Sequence, residues 1–147
     1  MVQIDIQRDV IPVKIGTVEL EFEATRENIK KLFDIYDNPE AFEEGLKDKF
    51  AEEVKALGDE EISEASRFSR MFDLEVKIAR DAYDVLLGEG SFDKIYATYS
   101  DVNTLLYKIL PQISESLGQE IGRRFEKEAK EQEKIKKAYL QKKRKKK

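Results

Sequence analysis

Val10-Ile-Pro-Val-Lys-Ile-Gly-Thr-Val-Glu-Leu-Glu-Phe-Glu23 decides the fold class of this chain, because its period is two. Val13 and Ile15 flank Lys14, and Val18, Leu20 and Phe22 alternate with Glu19, Glu21 and Glu23. One face is therefore apolar and the other charged, the pattern of a strand pair buried on one side. Gly16-Thr17 supplies a two-residue connection, with glycine at the first central position of a type II′ turn. Pro12 has no N–H to donate, so it belongs at the start or edge of its strand. Val2-Gln-Ile-Asp-Ile6 alternates as well and is a candidate third strand. An isolated hairpin is marginal in water. It must pack against helices, a third strand or another subunit.

After Glu23 the apolar residues recur at three- and four-residue steps, which is helical. Thr25 is an N-cap for a helix carrying Ile29, Leu32, Phe33 and Tyr36. Asn38-Pro39 stops it and starts another, which carries Phe42, Leu46, Phe50, Val54 and Leu57 and ends at Gly58. Asp59-Glu60-Glu61 opens a long helix to about Leu87. Its stripe is Ile62, Ala65, Phe68, Phe72, Val76, Ala79, Tyr83 and Leu86, wide enough to pack on more than one side. Gly88-Glu89-Gly90 breaks it, and Ser91 caps a short helix with Phe92, Ile95 and Tyr96. A last helix, from Ser100 or Asp101, buries Val102, Leu105, Leu106, Ile109, Ile113, Leu117, Ile121 and Phe125, with Pro111 expected to kink or split it. The reading is α+β, mostly α: a hairpin at about 10–23, a bundle of about five helices, and a single domain over 1–125.

Charge divides the chain. Residues 126–147 hold eleven Lys or Arg against four acids, a net of +7, whereas residues 1–125 carry a net of −11. The 126–147 segment reads as a charged helical extension, with pairs such as Glu126–Lys130 and Glu133–Lys137 at supportive spacing. Lys142, Lys143, Arg144, Lys145, Lys146 and Lys147 repel one another, and this basic tail is expected to be disordered. It could solubilise the protein, attract nucleic acid through phosphates, or dock on an acidic protein, including another copy's body. An acidic body with Tyr139 as the tail's sole aromatic favours a protein partner or solubility over nucleic acid.

Cysteine and histidine are absent. That removes disulfides, thiol nucleophiles, Cys-containing zinc sites and histidine general bases, and makes the cytosol the default home. Carboxylate-only chemistry stays open, but Asp81, Asp84, Glu89 and Asp93 read as a solvated helix face rather than a metal cluster. Gly88-Glu89-Gly90-Ser91 lacks the Lys-Ser/Thr of a phosphate loop and reads as a helix-breaking turn. No catalytic, metal or cofactor-binding residues are assigned. The start lacks a signal-peptide layout, and no apolar run approaches the ~18 residues of a membrane span. A half-sided hairpin beside a broad apolar helix suggests surface for self-association or a helical client. Val18, Leu20, Phe22, Phe68 and Phe72 are the protein-binding candidates.

Taken in order, these features resemble the tail assembly chaperones of long-tailed, siphovirus-like bacteriophages, particularly those of Gram-positive hosts. The resemblance lies in Ile11-Pro-Val-Lys-Ile-Gly-Thr-Val-Glu-Leu-Glu-Phe22, a short β element opening a small helical protein. It continues in Ile78-Ala-Arg-Asp-Ala-Tyr-Asp-Val-Leu-Leu-Gly-Glu-Gly-Ser-Phe-Asp-Lys-Ile-Tyr96, where a helix ends in Gly-Glu-Gly before a short helix, and in the basic stretch Tyr139–Lys147. It implies a non-enzymatic, homo-oligomeric chaperone in the host cytoplasm. Such a protein coats the tape measure protein, keeps it soluble and helps recruit tail tube subunits. A longer frameshifted form is common in the family, and no cofactor is implied. The alternative is a small nucleic-acid-associated regulator that uses the basic tail.

Overall fold

A computed structural model describes residues 1–6 and 8–145. β1 (Val10–Ile15) and β2 (Val18–Glu23) pair antiparallel, with Ile11 opposite Phe22, Val13 opposite Leu20 and Ile15 opposite Val18. Opposed residues share a face, so all six apolar side chains point one way. Ile11, Ile15, Leu20 and Phe22 are buried, and Val13 and Val18 pack half-buried against the same core. Gly16 turns the chain at φ +59°, a left-handed value that glycine adopts without strain. The hydroxyl end of Tyr99 occupies the space a Cβ there would need. The Val2–Ile6 strand does not form. Those residues are coil, and Val2, Ile4 and Ile6 are exposed, because alternation marks a face fit for burial without supplying a partner.

The described residues form six helices, one more than the periodicity predicts. α1 (Arg26–Asp37) starts where Thr25 Oγ1 accepts from the Asn28 N–H at 3.1 Å. α2 (Pro39–Lys49) starts where Asn38 Oδ1 accepts from the Ala41 N–H at 3.2 Å, with Pro39 in the first turn. The additional helix arises at Phe50, whose backbone (φ −108°, ψ 32°) separates α2 from α3 (Ala51–Leu57). The break costs little hydrogen bonding, since Phe50 N–H donates to Leu46 and Val54 N–H donates to Phe50. It also lets α3 lean onto α4 (Glu64–Leu87).

α4 begins later than the acidic run suggests. Ser63 is the cap, accepting from the Ser66 N–H at 3.2 Å, while Asp59 is used in a local turn that accepts from the Glu61 N–H. α4 ends at Gly88 and Gly90, both at positive φ. At α5 (Ser91–Tyr96), Gly90 rather than Ser91 holds the cap position. The Ser91 hydroxyl donates back to Leu87 C=O at 2.8 Å, and Asp84 Oδ1 accepts from the Phe92 N–H at 3.0 Å.

α6 is one continuous helix made of Val102–Thr104, a π-helical turn at Leu105–Ile109, and Leu110–Lys145. Pro111 does not split it. The wider turn lies immediately before the proline, with Leu110 N–H donating to Leu105 C=O. Tyr83 Oη donates to the same carbonyl at 2.5 Å, and the ring, fully buried, lies 6.1 Å from Phe92. Burial pushes the Tyr83 phenol above the ordinary tyrosine range, so it stays a neutral donor.

α4 is the centre of the fold, touching β2, α1, α2, α3, α5 and the first turn of α6. Around it close Phe22, Leu32, Ile35, Ala79, Ala82, Leu86, Phe92 and Ile95, with Ile113, Leu117 and Ile121 supplied by α6. Burial on α6 stops at Ile121. Phe125, expected on the buried face, is 52% exposed, because the bundle it would pack against has ended. The expected disorder from Lys142 onward is not seen at residues 142–144, which continue α6. Extending a formed helix costs far less than nucleating one. Lys146 and Lys147 lie outside the described residues.

Removing the Phe22 ring should cost about 3–5 kcal/mol by the usual scale for buried aromatics. The exposed Phe72→Ala should stay within about 0.5 kcal/mol of the parent. Urea unfolding of the two variants checks the contrast, and similar losses in both would contradict this packing.

Candidate functional site

The apolar stripe of α4 changes environment along its length. Ala79, Ala82, Tyr83, Leu86 and Leu87 are buried in the C-terminal half, and Val76 is half-buried. One and two turns earlier the same stripe emerges into solvent. Phe72 is 59% exposed and Phe68 56%. They stand four residues apart on one face, so their rings form a single ridge. Nothing local requires two phenylalanines there.

The five protein-binding candidates therefore separate into two groups. Phe68 and Phe72 are accessible. Leu20 and Phe22 face inward, and Val18 packs on the core from its margin. The hairpin has only one apolar face, and α4 and α5 cover it, so it has none left for a client. Its outer face carries Lys14, Glu19, Glu21 and Glu23.

A second feature escaped sequence reasoning, because it is built from four separate helices. α1, α2, α4 and α6 enclose an apolar groove of about 480 Å³. Ile35, Phe42, Leu46, Ile78, Leu106 and Leu110 line its depth. Tyr36, 45% exposed, and Tyr107, 62% exposed, stand at its margins with Pro39 and Pro111. Ser114 adds no free polar group, since its hydroxyl donates to Leu110 C=O at 2.9 Å. Three carboxylates, Glu43, Glu75 and Glu115, meet a single cation, Lys47, around the groove. Lys47 is already paired with Glu43 at 3.6 Å.

The third feature is the end of α6. Every described side chain from Phe125 to Arg144 is exposed, including Ile135, Tyr139 and Leu140. Lys142, Lys143 and Arg144 lie along this free helix, far from Phe68 and Phe72 in sequence and with no packing of their own. Where the extension leaves the bundle, it is tied down by charge. Arg124 bonds Asp9 Oδ1 at 2.5 Å and Glu120 at 3.2 Å. Hydrogen bonds from Arg123, then from Arg124, hold the Glu120 carboxyl down at about 2.

The aspartates weighed as a metal cluster are each engaged locally. Asp81 pairs with Lys49, Asp84 caps α5, and Asp93 pairs with Arg80 at 3.2 Å. The Arg80 guanidinium also lies 5.4 Å from the centre of the Phe92 ring. Among the described residues, no three acids converge as metal ligands would. No helix among them is long and apolar enough to cross a membrane. No protein-family model, curated protein or solved structure matches the chain.

A double Phe68→Ser, Phe72→Ser variant should fold normally and lose roughly half or more of any fluorescence enhancement of an apolar dye, since the ridge is a contiguous exposed patch. An unchanged dye signal with an intact circular dichroism spectrum would show that the ridge is not an accessible apolar surface.

Proposed function

We propose that this protein is a non-enzymatic tail assembly chaperone of a long-tailed bacteriophage, acting in the host cytoplasm by covering the apolar stripes of a helical client. The observation that carries the reading is the α4 stripe, which leaves the core and presents Phe68 and Phe72 unpartnered. The resemblance in the hairpin, the Gly88-Glu89-Gly90 turn with its short helix, and the basic end supplies the client class. That client is the tape measure protein, with tail tube subunits recruited afterwards.

Energetics set the manner of action. Fully burying a phenylalanine side chain gives about 1.5–3 kcal/mol. These two rings are already part-covered, so one copy offers a few kcal/mol before the cost of association. A single contact is weak. A long client with many stripes would hold many copies, and neighbouring copies would raise one another's effective concentration. The acidic body then lends the coated client net negative charge, which opposes aggregation.

Co-expression with a long, stripe-bearing tape measure protein tests this. The parent chain should keep the client in the soluble fraction, and Phe68→Asp with Phe72→Asp should reduce the soluble client several-fold while its own circular dichroism is unchanged. Equal client solubility with and without the ridge would overturn the assignment. Salt-dependent DNA or RNA binding, lost on deleting residues 141–147, would favour the nucleic-acid regulator instead.

A further inference from the structure

The free end of α6 and the groove between α1, α2, α4 and α6 are complementary in both polarity and charge. Ile135, Ala138 and Tyr139 fall on one face of the extension by helical spacing, with lysines on either side. The groove is apolar within and bears Glu43, Glu75 and Glu115 against Lys47. Glu75 and Glu115 make no ion pair among the described residues. We propose that the α6 extension of one copy docks in this groove of a second copy, joining the chains head to tail.

Three considerations choose this occupant. The extension cannot fill its own groove. Ser114 lines the groove and Tyr139 lies 25 residues further along the same unbroken helix, about 38 Å away at 1.5 Å per residue. Two extensions do not favour one another either, because each carries +7 and like charges at close range repel. The body of another copy carries −11 and offers the apolar cover that Ile135 and Tyr139 lack. A contact between two different surfaces of the same chain is heterologous, so its one-way repeat propagates into rings or open filaments. Neither Phe68 nor Phe72 lines the groove, so the chain of copies could display repeated ridges. The inference stands without the client reading, because self-association needs no client.

Sedimentation velocity on the full chain, with complementary variants, tests it. The parent should form concentration-dependent oligomers that weaken roughly tenfold or more between about 0.05 and 0.5 M NaCl, where screening shortens from over 10 Å to a few ångströms. Ile135→Asp with Tyr139→Asp should be monomeric, as should a groove variant, Tyr36→Asp with Tyr107→Asp, both at exposed positions. Mixing the two monomeric variants should restore a one-to-one pair, because each keeps the surface the other lost. A parent that stays monomeric, variants that still oligomerise, or variants that fail to pair on mixing would each overturn the proposal. Circular dichroism on both variants excludes unfolding as the cause.

Discussion

The architecture depends on one requirement: the single apolar face of the β1–β2 hairpin has to be covered, and α4 is what covers it. Two strands alone are marginal in water. Phe22 and Leu20 gain their burial from α4 and α5, and α1 and α6 close over the remaining sides. The Tyr83 hydroxyl makes the junction specific. It reaches across to Leu105 C=O, inside the π turn that lets α6 continue past Pro111. Removing that carbonyl's second donor would leave the junction held by packing alone. A helix committed to this covering role over its C-terminal half is covered less completely further N-terminally, where Leu74 is buried and α3 packs alongside. That is why its stripe runs into solvent at Phe72 and Phe68.

The chain's own alternation and punctuation carried much of this. Val13 to Phe22 announced both strands and their turn, and Thr25, Asn38-Pro39 and Gly88-Glu89-Gly90 marked helix boundaries through local chemistry that needs no tertiary context. Other boundaries slipped where two residues competed for one job. Ser63 displaced Asp59 as a cap, and Gly90 took the cap position expected of Ser91, whose hydroxyl donates back to Leu87 C=O. Burial was harder to read. Periodicity puts Phe68, Phe72 and Phe125 in line with core residues, but only the ends of neighbouring elements decide where a stripe stops being covered. The groove was illegible for the same reason: its walls come from four helices whose adjacency no linear spacing encodes.

Charge organises what packing leaves over. A body at −11 and an end at +7 give one molecule two surfaces of opposite charge. Arg124, bonded to Asp9 and Glu120, anchors the start of the extension to the bundle, so the basic end is aimed rather than trailing. An aimed extension, an acidic apolar groove and an exposed phenylalanine ridge together suit a protein that works in numbers along an elongated partner. Each surface alone is weak, and repetition would make the sum strong.

Hydrogen–deuterium exchange of the full chain, with and without a long amphipathic-helix client, tests the shielding claim most directly. Client should slow exchange selectively across residues 64–72, the part of α4 whose stripe leaves the core, and leave the hairpin amides unchanged. Slowed exchange confined to the basic end of α6, or no change anywhere at saturating client, would contradict it.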